Sequence, residues 1–187
     1  MSTTKVSPFG LGAPLRPFRL PEPLTGRLLG PEDFPAARAF LVAFICNASP
    51  AVQHVAGALA ALTRDLDPLG LRTLAVNSVP DEPPSDVAAE ALRRGYVFPY
   101  LIDQTQAVAR AYGSVRTPDF YVFDRSRRLT YHGRFDATDL GGERPAHGGD
   151  LRRALVRALN GEAQPQHQAP ARPAGSGRLP PPSRGPR

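Results

Sequence analysis

The chain predicts an α/β sandwich, a central mixed β-sheet flanked by helices, on three observations. The run Ala39 to Cys46 is apolar without a break, as expected of a strand covered on both faces. From Ser49 the period changes: Val52, Val55, Ala56, Leu59, Leu62 and Leu66 recur at three- and four-residue spacing, one stripe of an amphipathic helix. Strand-like and helix-like segments then alternate in the order β-α-β-α-β-α-β-β-α. Strands separated by helices are expected to be parallel and the last hairpin antiparallel.

Residues 1–12 read as a disordered N-terminus. Over 13–38, prolines 14, 17, 21, 23, 31 and 35 interrupt short apolar pieces. Phe18–Leu20 and Arg27–Leu29 fit a small edge hairpin, the one sheet position that tolerates such proline density. The first helix opens at Pro50, where the missing N–H costs nothing, and stops at Pro68 and Gly70. Leu71–Asn77 is a second core strand. Residues 79–86, VPDEPPSD, form a loop in which Ser85 or Asp86 caps a helix that closes at Gly95. Phe98–Ile102 is a short strand, and Asp103 with Gln106 makes a variant capping box for a helix that turns Val108 and Ala111 inward and ends at Gly113. Phe120–Phe123 and Leu129–His132 pair as a hairpin across Asp124–Arg127. Asp150 caps a final helix whose inner stripe is Leu151, Leu155 and Leu159. Residues 13–162 thus form one domain. Residues 163–187 are rich in Pro, Gln, Gly and Arg, bury too little to offset ordering entropy, and are expected to be a disordered tail.

Composition narrows the function. Four of the six net positive charges lie in that tail, on Arg172, Arg178, Arg184 and Arg187, with no aromatic residue interleaved for base stacking; no nucleic-acid partner is expected. The eight-residue apolar run is far too short to cross a bilayer, and prolines break up any secretory h-region, so no membrane role and a cytoplasmic location are expected. A single cysteine rules out an intramolecular disulfide and suits a reducing compartment. No glycine pattern for a nucleotide cofactor appears, and His132, His147 and His167 show no ligand spacing; neither cofactor nor metal is expected.

Chemistry is hinted at in one place. Cys46 stands where a buried strand gives way to a helix N-terminus, a setting in which free N–H groups and aligned peptide dipoles favour thiolate. The segments FICNASPAVQH, FPYLIDQTQAVARAYGSVRTPDFYVFD and RRLTYHGRFD resemble the thioredoxin-like redoxin family related to alkyl hydroperoxide reductase C and thiol-specific antioxidant proteins. The likeness extends over residues 13–162. It is narrower to a bacterial subfamily whose first segment reads close to FICNHCPYVKH. The resemblance implies a thioredoxin-like fold, places Cys46 at the first cysteine of the redox motif, and sets Thr117-Pro118 at the Thr–cis-Pro pair that flanks the redox thiol.

The departures are equally informative. Ser49 replaces the second cysteine, Ala48 the intervening histidine and Ala51 the following aromatic, while Arg116 stands where the subfamily often has a further cysteine. A serine cannot close a disulfide, so a two-thiol cycle within one chain is excluded. Three readings of Cys46 remain open. In the first it is a monothiol redox nucleophile serving an external thiol or disulfide, glutathione or protein, with Ser49 donating to the thiolate and Arg116 lowering its pKa. In the second it is a small buried hydrophobe on a degenerate scaffold that binds an extended peptide in the groove beside Pro118. In the third it is a one-cysteine peroxidase; Val42–Ile45 lacks the Pro and Ser/Thr that usually precede a peroxidatic cysteine. His54 is expected on the helix surface, and Asp119 in a structural turn.

Overall fold

Residues 9–136 and 145–162 are described in the computed structural model, and the elements follow from the sequence pattern. A two-stranded antiparallel pair, β1 (Leu20–Pro21) and β2 (Leu28–Leu29), stands apart from the main sheet, and its brevity reflects the prolines around it. The main sheet has five strands: β3 (Ala39–Phe44), β4 (Leu71–Asn77), β5 (Tyr100–Ile102), β6 (Asp119–Phe123) and β7 (Leu129–Gly133), in the spatial order β5-β4-β3-β6-β7. The helices are α1 (Pro50–Leu66), α2 (Pro84–Arg94), α3 (Ala107–Tyr112) and α4 (Gly149–Asn160).

Each face of the sheet has its own apolar layer. Leu41, Ala43, Tyr100, Phe120 and Val122 point to one side, where α1 packs Val52, Val55 and Leu59, α2 packs Val87 and Ala91, and α4 packs Leu151 and Leu155. Phe40, Val42, Phe44, Val76, Tyr121 and Phe123 point to the other side, toward Val108 and Tyr112 of α3. Each large side chain so buried contributes about 1.5–3 kcal/mol. Every residue of β3 is buried, which is why its sequence shows no alternation.

Pairing departs from expectation at one strand. β3, β4 and β5 run parallel, and β6 with β7 forms the antiparallel hairpin, but β6 is antiparallel to β3 although a helix precedes it. α3 has only six residues, about 9 Å of rise. It carries the chain sideways along one end of the sheet rather than back to the other end. β6 therefore starts where β3 finishes, Asp119 opposite Phe44.

Further corrections concern termini. Residues 9–12, expected to be disordered, are tied to the domain at two points although Gly10, Leu11 and Gly12 are exposed: Phe9 is buried and stacks on Tyr112 at 4.7 Å, and the Gly12 amide donates to the Leu129 carbonyl at 2.7 Å. α2 starts at Pro84 with Pro83 as its N-cap, so neither Ser85 nor Asp86 caps it. α3 starts after Gln106, which takes a left-handed conformation, and the Asp103 carboxylate instead accepts from Ser78 Oγ and from the Ala109 amide. Its inward residues are Val108, Ala109 and Tyr112, with Ala111 half-buried. α4 is capped by Gly148; Asp150, in the first turn, pairs with Arg134 and Arg153. The readings of residues 1–8 and 163–187 fall outside the described residues. Among the described residues, no helix is long and apolar enough to cross a membrane.

Candidate functional site

The parallel strands end together, and their loops meet at the start of β6. Cys46 follows β3, the Ser78–Glu82 loop follows β4, Asp103 follows β5, and Thr117 precedes β6. The sequence reason is local. After Cys46 the Asn47 and Ala48 amides donate to the Glu82 side chain rather than to a strand, Pro50 has no amide to offer, and Ser49 caps α1 by accepting from the Val52 amide at 3.3 Å. The corner therefore forms directly after the cysteine.

Cys46 is 6% exposed and its sulfur lies 3.1 Å from Thr117 Oγ1. The Thr117–Pro118 peptide is cis, Thr117 is buried and Pro118 half-buried. Ser49 Oγ, itself buried, donates to the Thr117 carbonyl at 3.4 Å. Cys46, Ser49, Thr117 and Pro118 are thus brought together, as the motif positions predict. The role expected of the Ser49 hydroxyl is different: it holds the Thr117 loop, and it is the backbone of Ser49 and Ala48 that favours the thiolate. Arg116 is half-buried beside them, and its carbonyl accepts from Ser114 Oγ at 3.4 Å.

The expectation of an acidic thiol is overturned. Burial pushes the Cys46 thiol above its ordinary range; the Thr117 hydroxyl opposes this, and the negative charge of Glu82 adds to it. The helix-terminus effect is present, but desolvation outweighs it.

Glu82 is the residue that sequence reasoning missed. Its carboxylate accepts from the backbone amides of Asn47 and Ala48, each at 2.9 Å, and from Asn77 Nδ2 at 2.6 Å. Asn77 also donates to Tyr100 Oη at 3.2 Å, and Tyr100 donates to Asn47 Oδ1 at 3.0 Å, which closes a polar ring around the residue that follows Cys46. The available signal was an acid in the loop after a parallel strand, at the end of the sheet that carries the thiol.

The other candidates are structural. His54 is half-buried rather than on the surface, and its Nε2 is closed off without a hydrogen-bond partner among the described residues. Asp119, in β6 rather than in a turn, accepts from Tyr121 Oη at 2.9 Å and meets His132 Nε2 at 2.8 Å. Among the described residues no His, Cys, Asp and Glu group is arranged to hold a metal.

The redoxin family model matches residues 11–143, which include the whole of this corner. The chain belongs to the redoxin family. Two solved relatives match this redoxin over nearly its full length. A hypothetical protein from Sinorhizobium meliloti is 39% identical, with TM-score 0.85, covering 91% of this chain and 94% of that one. An uncharacterized conserved protein from Geobacillus kaustophilus is 36% identical, with TM-score 0.82 and coverage of 89% and 95%. A thiol:disulfide interchange protein of the thioredoxin family from Chlorobium tepidum matches with TM-score 0.60 over 80% of this chain and 98% of that one. At 18% identity that likeness shows the fold alone, and the fold is thioredoxin-like. No curated protein matches the redoxin significantly.

Proposed function

We propose that this redoxin is a monothiol thiol–disulfide oxidoreductase with Cys46 as nucleophile, contributing to redox homeostasis in the cytoplasm. The observation that supports it best is the 3.1 Å contact between the Cys46 sulfur and Thr117 Oγ1, at a corner inside the residues that the redoxin family model matches. Cys46 first loses its proton to solvent. The thiolate, supported by the Thr117 hydroxyl and the Ala48 and Ser49 amides, attacks one sulfur of an external disulfide. A bond forms from Cys46 to that sulfur, the original S–S bond breaks, and the departing thiolate takes up a proton. A second external thiol attacks the mixed disulfide, restores the Cys46 thiol and leaves as part of a new disulfide. The net change is an exchange: the external disulfide releases one thiol and the incoming thiol takes its place in a new disulfide, with Cys46 unchanged over the cycle.

The raised thiol pKa makes the first step slow at neutral pH, and the rate rises with pH as thiolate accumulates. The test is intact-mass detection of an adduct after treatment with hydroxyethyl disulfide, a small neutral disulfide, across the alkaline range. An adduct on the natural chain that is absent from Cys46→Ser is expected. No adduct at any pH at which the chain stays folded overturns the proposal. The 6% exposure of Cys46 favours a second reading, a binding module on a degenerate redox scaffold. In that reading the groove beside Pro118 takes an extended peptide, and Cys46→Ser leaves peptide binding unchanged.

A further inference from the structure

Backbone amides just after a nucleophilic cysteine are a natural docking point for an anionic or polarised group on an incoming partner. Here an internal carboxylate already holds them. Glu82 takes the Asn47 amide with one oxygen and the Ala48 amide with the other, and the Asn77 side chain anchors it from behind. We propose that Glu82 is a specificity-determining residue: by occupying the Asn47 and Ala48 amides it turns carboxylate-bearing thiols and disulfides away from Cys46 and favours neutral or cationic ones. This rests on the exchange reading of Cys46 and names its substrate class.

The surroundings point the same way. A cleft of about 420 Å³ opens beside the loop, and its lining includes Asn47, Ala48, Glu82, Asp86, Glu90 and Arg93. Glu90 pairs with both Arg93 and Arg94, a cluster with one positive charge in excess, which only partly offsets the two remaining carboxylates. Among the described residues, neither Glu82 nor Asp86 has a basic partner within ion-pair distance, so the mouth of the cleft carries net negative charge. A partner with its own carboxylate near the sulfur meets both a filled anion position and like charge; a partner with an ammonium meets attraction. The same Glu82 charge adds to the burial that pushes the Cys46 thiol up, which places its carboxylate within electrostatic reach of the sulfur.

The first arm of the test needs no exchange activity. Cys46 in the full chain is alkylated with neutral iodoacetamide and with anionic iodoacetate, and the ratio of rates is compared with that of a small free thiol. The natural chain is expected to disfavour iodoacetate by about fivefold beyond the free thiol, the size of a unit-charge interaction across about 4 Å of water. Glu82→Gln, which keeps one acceptor oxygen for the loop, is expected to remove most of that preference. Asp81→Asn, which deletes the exposed charge one residue away, is expected to keep it. A natural-chain ratio equal to that of the free thiol overturns the proposal without any variant. So does equal relief by Asp81→Asn and Glu82→Gln, which reduces the effect to overall charge.

The second arm compares cystamine, a cationic disulfide, with glutathione disulfide, an anionic one. Faster adduct formation with cystamine, with the gap narrowed in Glu82→Gln, supports selection during exchange. If neither disulfide forms an adduct while the alkylation ratio still splits, the exchange reading fails and the gate at Glu82 stands.

Discussion

A thiol must lose its proton before it attacks, and at Cys46 the neighbours pull in opposite directions. Desolvation and the Glu82 carboxylate keep the proton on, while the Thr117 hydroxyl and the Ala48 and Ser49 backbone draw it off. The net shift is upward, so the folded state holds this proton more tightly than the unfolded chain does. Stability from this group is therefore lost as pH rises past the ordinary thiol value of about 8.5, and nothing is lost below it. The Thr117 hydroxyl can be removed with its shape kept. Thr117→Val is expected to move the inflection of the iodoacetamide rate further upward by about one pH unit, the weight of a hydrogen bond to a charged group. An unchanged inflection would mean that the 3.1 Å contact does not act on the thiolate. Much of this residue-scale picture was legible: Cys46, Ser49 and Thr117-Pro118 could be placed from motif position. The sign of the pKa shift could not, because burial of the sulfur and the reach of Glu82, thirty-six positions along the chain, are set by tertiary packing.

At the scale of elements, capping separates what sequence reasoning can read from what it cannot. Ser49 before Pro50 and a long apolar stripe is an unambiguous start signal, and Ser49 caps α1. In VPDEPPSD several residues compete, and proline decides the outcome: its fixed φ places Pro83 and Pro84 at the start of α2, leaving Ser85 inside the first turn with its hydroxyl directed to Asp86. α3 was misread for a related reason, since Asp103 is drawn to Ser78 and the Ala109 amide by contacts that only the folded sheet brings near. The antiparallel entry of β6 was hidden too, because it follows from how far six helical residues can carry the chain. Paired variants test the capping argument. Ser49→Ala is expected to lower unfolding free energy by about 1 kcal/mol, with loss of its bond to the Thr117 carbonyl adding to this. Ser85→Ala is expected to stay within about 0.5 kcal/mol. Both are read from urea midpoints at constant slope; equal losses would show that the Ser49 cap contributes nothing special.

For the whole molecule, the same apolar layers that position the corner also enclose the tyrosines. The sequence has five, Tyr96, Tyr100, Tyr112, Tyr121 and Tyr131, and burial pushes every one above the ordinary phenol value, Tyr96 to about 12 and the others higher still. They lie on both faces of the sheet: Tyr100 and Tyr131 belong to the layer under α1, α2 and α4, and Tyr112 and Tyr121 to the layer under α3. No face can expose its tyrosines without losing its core. In the unfolded chain each phenol ionises near pH 10, whereas in the folded chain each stays protonated. The unfolded state therefore binds fewer protons above that pH, and stability must fall as pH climbs through and beyond it. The expected titration is cooperative: almost no tyrosinate absorbance near pH 10 while the near-ultraviolet circular dichroism remains native, then release of Tyr100, Tyr112, Tyr121 and Tyr131 together as that signal collapses. Gradual ionisation of two or more tyrosines near pH 10 in a still-folded chain would mean that one of the two layers is open to solvent.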